Sequence, residues 1–428
     1  MRISEVEAIV TRPGRNFVLV KIATDTGLTG WGDATLNGRE LSVASYVNDH
    51  LRPLLMGEDP LRIEHLWQSL YVGAYWRGGP VQNSALAGVD MALWDILGKE
   101  AGQPIYGLLG GRCRDYVTPY VHASAVDFGG LIEKVKAYRE RGFTHIRIQM
   151  QSAEGSAYGE KPHRPRGWER ADEATEVASP AATPEETQLP LVQGNLPFVG
   201  NFHPSTYLRS VPAMFAAVRE AVGDEVELLH DVHHRLTPTQ AARLASDLEP
   251  FRPFFLEDAV APELAVHLDQ VRAASTTPLA LGEGLFDIKE CLPLIHGRLI
   301  DYLRCDLGHI GGITAAKKLA THAEPFAVKS AWHGPPDLSP VGHAANVHVD
   351  LAIPNFGVQE WVDHRKGDGG ADAQRVFKGG VACEGGVLDI DASPGLGVTV
   401  DEDAARKLAY ERAYLPVVRL DDGTVHPW

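Results

Sequence analysis

Residues 228–234 read LLHDVHH, residues 254–260 read FFLEDAV and residues 279–284 read LALGEG. Each is a short apolar run that ends on an acid: Asp231, Glu257 and Glu283. The step from Asp231 to Glu257 equals the step from Glu257 to Glu283. That interval is one strand plus the crossover helix that a parallel strand needs. Working outward, further short apolar strands are predicted at 117–121, 145–150, 301–304, 327–331 and 357–361, giving eight in all. Amphipathic helical stretches at 131–141, 211–222, 238–248 and 315–323 lie between them. The rhythm predicts an α/β chain built on a (β/α)8 TIM-type barrel.

The chain before this barrel pattern has another rhythm. Ile3 to Val10 and Phe17 to Ala23 alternate, and the turn Thr24-Asp25-Thr26-Gly27 follows, as in an antiparallel meander. Residues 83–100 (NSALAGVDMALWDILGKE) carry an Ala/Leu/Trp stripe and stop near Gly102 and Pro104. This part reads as an α+β unit. Residues 160–206 are rich in Pro, Ala, Thr and Glu and break the barrel rhythm. Such a loop after a barrel strand is either a lid over the active-site face or a flexible surface excursion. The C-terminal stretch carries several glycines and prolines and ends on Trp428, which reads as a cap on an apolar seam.

Composition narrows the function. The 428 residues are 44% hydrophobic and 22% charged, as in an ordinary globular protein. A formal net charge of −16 argues against a nucleic-acid or anionic-membrane binder. The cysteines Cys113, Cys291, Cys305 and Cys383 have no CxxC spacing, which disfavours a zinc knuckle or a thioredoxin-type site. The start MRISEVEAIV lacks the apolar region of a signal peptide, and no apolar run approaches a membrane span, so a cytoplasmic location is expected.

Three acids at one register converge on one barrel face. Their mutual repulsion and desolvation are relieved by a divalent cation, and an all-oxygen set suits Mg2+. If Asp231 to His234 is extended, His233 shares the side of Asp231 as a general acid or base, and His234 points away. Arg147, between Ile146 and Ile148, is expected to face inward, where a cation serves anions. An arginine near the phenol of Tyr158 would lower its pKa and make it a competent base. Arg304 and Asp306, His333 and Asp337, and Gln359 and Glu360 end the later strands, as expected of a site for an oxygen-rich anion.

At these residues the chain resembles the enolase superfamily, and within it the D-mannonate dehydratase subgroup. The resemblance runs from residues 13–18 (PGRNFV) and 32–40 (GDATLNGRE) to 413–416 (AYLP). Its specific parts are 74–77 (AYWR), 229–235 (LHDVHHR), 337–340 (DLSP) and 354–357 (PNFG). It implies a capping domain over residues 1–115, a modified barrel over 116–385, and a segment 386–428 that returns to the capping domain and the pocket. It implies Mg2+ on Asp231, Glu257 and Glu283, and dehydration of a sugar acid to a 2-keto-3-deoxy acid. Tyr158, paired with Arg147, is the implied base, and His233 the acid that helps the 3-hydroxyl leave. Asn37, His122, Glu283, Arg304, His333, Asp337, Glu360 and Trp428 match substrate-holding positions. A homo-oligomer acting on a small sugar acid is implied.

Pro335 departs from the alanine of subgroup members that resemble efficient mannonate dehydratases. It resembles weaker members, some preferring D-gluconate, and others labelled starvation-sensing proteins. D-Mannonate and D-gluconate are C2 epimers and present the α-proton to opposite sides. His333, oriented by Asp306, is therefore a candidate second base, with substrate binding as its plainer role. The alternatives are a dehydratase or epimerase for another acid sugar, and a regulatory protein that kept the fold.

Overall fold

A computed structural model describes residues 1–150, 198–366, 369–412 and 417–427. Tyr158, Trp428 and most of the 160–206 stretch lie outside the described residues. The chain divides into two compact units, one of residues 1–121 and 279–410, the other of 122–278 and 411–428.

The first unit opens with the antiparallel meander β1 (Ile3–Thr11), β2 (Phe17–Thr24) and β3 (Thr29–Asp33), with Val10 opposite Val18 and Lys21 opposite Trp31. The helix Pro80–Ala101 lies on this sheet with no side chain between them at two points. A Cβ on Gly30 would come within 2.1 Å of the Ala92 carbonyl oxygen, and one on Gly32 within 1.9 Å of that of Gly88. Glycine is required there by close backbone approach. The helix starts on Pro80, stops at Gly102 in the left-handed conformation, and is buried on nearly every side between.

The later strands are β4 (Pro119–Ala125), β5 (His145–Met150), β6 (Phe198–Asn201), β7 (Glu227–Asp231), β8 (Phe255–Glu257), β9 (Leu279–Leu281), β10 (Tyr302–Leu303), β11 (Lys329–Ser330) and β12 (Gln359–Glu360). All but β6 belong to an eight-stranded parallel sheet with helices between successive strands, the α/β (β/α)8 class that the sequence predicts, behind an N-terminal α+β part. In the first unit β9 pairs with β10 and β10 with β11, Ser330 bridges to Phe356, and β12 pairs with β4. In the second unit β5 pairs with β7 and β7 with β8. That unit also holds a small sheet of β6, Val417–Arg419 and Val425–His426.

Strands β10 to β12 are two residues each, shorter than their apolar windows. Ala331 and Trp332 are buried just past the β11 ladder, so they carry the apolar signal without extending the strand. The stretch 160–206 is corrected at its end: residues 198–201 form β6, and Pro204 at the first turn starts the helix Pro204–Val222. No described helix is long and apolar enough to cross a membrane.

Candidate functional site

Asp231 ends β7 and Glu257 ends β8, and the two are register partners on adjacent parallel strands. Their side chains therefore leave the sheet on the same side. Both are fully buried. The Arg147 guanidinium, on β5, donates to Asp231 Oδ2 at 2.9 Å, and Ile146 and Ile148 on either side are buried, as expected for an inward-facing arginine. Gln149 donates to the Asp231 carbonyl at 3.2 Å.

The extended reading of Asp231 to His234 is corrected. His233 and His234 have φ of 59° and 66°, so the chain leaves the strand at once and the period-2 argument lapses. Asp231 Oδ1 accepts the His233 N–H at 2.8 Å, and the Asp258 carbonyl accepts the His234 N–H at 2.8 Å. The two rings lie near parallel, centroids 5.8 Å apart, rather than on opposite sides. His234 stands 3.5 Å from the buried carboxylate of Asp258, itself at φ 40°. Left-handed non-glycine residues cost free energy, and three of them, His233, His234 and Asp258, follow the ends of β7 and β8.

His230, one residue earlier, is structural. Its Nδ1 lies 2.9 Å from the Ile148 carbonyl and its Nε2 2.8 Å from the Tyr207 hydroxyl. Burial pushes its pKa down to about 4, so the ring is neutral, with Nδ1 donating and Nε2 accepting. At the chain end His426 stacks on Phe202 and reaches the Arg235 carbonyl at 2.8 Å. His122 is half-buried on β4.

The first unit gathers Glu283, Arg304, Asp306, His333 and Glu360. Arg304, fully buried past β10, donates to Glu360 Oε2 and to the Ala331 carbonyl, both at 2.8 Å. The Gly334 N–H donates to the same Glu360 oxygen at 2.9 Å. Only glycine fits at 334, where a Cβ would meet the Glu360 carbonyl oxygen at 2.5 Å. His333 Nδ1 lies 3.0 Å from Asp306 Oδ2, and its Nε2 lies 3.3 Å from Glu283 and 3.9 Å from Glu360. Burial opposes charge on this ring. The Asp306 bond and the Glu283 and Glu360 carboxylates overcome it and push the pKa up to about 10. Asp306 is also buried, yet the facing His309 and His333 and the Gly308 N–H hold it below the usual carboxylate range.

The His333 backbone is fixed as well: its N–H donates to the Cys305 carbonyl at 3.1 Å and its carbonyl accepts from Asn346 at 3.1 Å. Asn37 and Asp337 are half-buried in the same unit, and no described side-chain bond joins either to this cluster. Pro335 opens a turn that closes with Leu338 N–H on its carbonyl. Sequence reasoning missed Gln149, Asp258, His309 and Asn346. Of these, Asp258 and His309 carried a signal, each lying close after a strand-end acid already singled out.

The donors suit a hard divalent cation. Asp231 and Glu257 offer oxygen ligands side by side at adjacent strand ends, and two buried carboxylates so placed are stabilised by shared positive charge. Glu283 follows β9, the next strand in chain order.

Known proteins resemble this chain over its whole length. Residues 130–404 match the enolase C-terminal domain-like family, and residues 4–110 match the mandelate racemase / muconate lactonizing enzyme N-terminal domain. The chain is 46% identical over 430 residues to a D-mannonate dehydratase of a Caulobacter species, covering 100% of both chains. It is 44% identical over 429 residues to a D-galactonate dehydratase family member of a Marinomonas species, again covering 100% of both. Among solved structures, it is similar to an enolase from Pantoea ananatis with bound D-gluconate and Mg, with TM-score 0.87, 39% identity and 100% of both chains covered.

Proposed function

The chain belongs to the enolase superfamily, and we propose that it is a Mg2+-dependent dehydratase converting D-mannonate, D-gluconate or both into 2-keto-3-deoxy-D-gluconate. Its relatives and its solved neighbour support an enzyme that dehydrates sugar acids. The observation that carries the reading is the pair of buried carboxylates Asp231 and Glu257 in register at adjacent strand ends. With Glu283 they would hold the cation, which when bound stabilises negative charge developing on the substrate carboxylate.

The remaining roles belong to the chain's own groups. Tyr158, which the resemblance pairs with Arg147, is assigned as the base that removes the proton from C2. His233 is assigned as the acid that delivers a proton to the departing 3-hydroxyl. One proton and one hydroxide leave as water, and the enol left behind tautomerises to the 2-keto acid. Arg304 and Glu360, locked to each other at 2.8 Å, give substrate hydroxyls a fixed donor and acceptor. Asn37, His122, Asp337 and Trp428 are assigned to the rest of the sugar chain.

His333 has two readings. The carboxylates that face it favour a charged ring, which donates a proton, and this supports substrate holding. The 3.0 Å bond to Asp306 supports a base for the C2 epimer D-gluconate. Gluconate turnover that survives Asp306→Asn unchanged would eliminate the second.

The test is to incubate the protein with excess Mg2+ and each acid separately, following the 2-keto-3-deoxy product. Product is expected from at least one acid and is expected to vanish in Asp231→Asn. No product from either acid above that control would overturn the assignment.

A further inference from the structure

Away from the strand-end acids, two helices of the first unit end on histidines that face each other. His296 is the last residue of the helix Ile288–His296, and His322 lies in the last turn of the helix Gly312–Ala323. Both are exposed, and their Nε2 atoms lie 2.7 Å apart. We propose that this pair is a binding site for a late divalent transition cation of the Cu2+, Ni2+ or Zn2+ class, held by the two Nε2 atoms and completed by water.

Three observations support the assignment. First, the rings converge through their nitrogen edges. Metal–imidazole bonds of about 2.0–2.1 Å put two nitrogens about 2.8–3.0 Å apart at a right angle and about 3.3–3.4 Å apart at the tetrahedral angle, so the 2.7 Å pair needs to open by about 0.1–0.7 Å. Second, the rings are held before any ion arrives. His296 packs on Phe326 with centroids 5.0 Å apart, and His322 packs on the same ring at 5.8 Å. Third, each histidine sits at the C-terminal, negative end of its helix, where a cation is favoured. Arg298, just past His296, donates to the Phe326 carbonyl and lies 3.9 Å from Asp301, so its charge is engaged elsewhere.

The ligand class follows from the donors. Imidazole nitrogen prefers late first-row ions, with Cu2+ tightest, and offers little to Mg2+ or Ca2+. The strand-end carboxylates have the opposite preference. The competing account is a plain hydrogen bond between one neutral ring and its neighbour. That contact would also bring the nitrogens together, and it would bind no metal.

The test uses the whole protein in excess Mg2+ with half an equivalent of Cu2+, read by pulsed electron paramagnetic resonance. The wild type is expected to show two imidazole nitrogens on copper. His296→Ala and His322→Ala are each expected to remove that signal and to weaken Cu2+ binding at least ten-fold by calorimetry. One nitrogen or none in the wild type would overturn the proposal. So would a two-nitrogen signal, or an affinity, that survives in both variants. Because the readout is copper binding, the outcome is independent of any dehydratase activity.

Discussion

Buried acids occur in two regions of this chain, and they are used in opposite ways. In the N-terminal α+β part, Asp33, Asp90 and Asp95 are as inaccessible as Asp231 and Glu257 at the strand ends. Asp33 accepts the Thr35 N–H at 2.7 Å and the Ser339 N–H at 2.6 Å. Asp90 accepts the N–H of Thr314 at 2.9 Å and its hydroxyl at 2.5 Å. Asp95 accepts the Trp31 and Leu396 N–H groups at 3.0 and 2.9 Å, and Lys99 at 2.6 Å. Each joins segments far apart in sequence through backbone donors that have no other use. The strand-end acids also accept one backbone N–H each, but they meet charged side chains from other strands or strand ends: Arg147 for Asp231, His333 for Asp306 and Arg304 for Glu360. The Lys99 partner of Asp95, by contrast, lies one turn away on the same helix. A backbone N–H cannot move to a substrate. A guanidinium or an imidazole can share its donors with one. A charged partner brought from another strand end, rather than the burial, separates the acids assigned to chemistry from those that stitch the fold.

The comparison breaks most visibly at Asp231. Asp231→Asn is expected to cut product formation by about 10³-fold or more, since it removes a ligand of the proposed cation, and to lower the melting temperature, since Arg147 loses the carboxylate it holds at 2.9 Å. A kinetic assay beside a thermal melt checks both halves. Glu360→Gln sits on the border of the two classes. It leaves the fully buried Arg304 without its countercharge, so urea unfolding should show a loss of about 3 kcal/mol together with lost activity. Retained stability would mean that the Arg304 charge is satisfied elsewhere.

Asp95→Ala belongs wholly to the stitching class. Losing the acceptor of two buried N–H groups is expected to cost on the order of 2 kcal/mol in unfolding experiments and to leave KM unchanged in the folded fraction. A raised KM without destabilisation would move Asp95 into the other class. The smallest effect is a pH slope. Burial raises the pKa of Asp90 from the ordinary 3.8 to about 7. The folded state therefore holds that proton more tightly than the unfolded chain, and the associated stability is complete below the unfolded value. It is lost as pH rises through about 7. The melting temperature of the wild type relative to Asp90→Asn should then fall between pH 5 and pH 8, and a constant difference would refute the shift.

These two uses of acid are unequally legible in the sequence. Asp231, Glu257 and Glu283 stand out because one repeat length separates each from the next and each closes an apolar run. Asp90 and Asp95 are hidden inside NSALAGVDMALWDILGKE, where a helical stripe assigns polar positions to solvent. That helix is buried on nearly every side, because Gly30 and Gly32 admit it onto β3 and its acids meet Thr314 and Leu396. No local pattern announces partners from the far half of the chain. The β/α alternation yields the barrel count, since periodicity is local. Alternation misplaces His233 and His234 because it assumes an extended chain, and two consecutive left-handed residues end it. The Asp306–His333 pair is foreseeable from adjacent strand ends. The clamp of Arg304 and Gly334 on one Glu360 oxygen needs the fold.

Under the proposed function, the acids ending β7 and β8, with Glu283, would hold the metal of a sugar-acid dehydratase. The most direct measurement is a crystal structure with Mn2+ in place of Mg2+ and D-gluconate present, read from the anomalous signal of the metal. One Mn2+ bound by Asp231, Glu257 and Glu283 and lost in Asp231→Asn is the predicted result. A metal bound elsewhere, with these three carboxylates making no contact to it, would overturn the assignment.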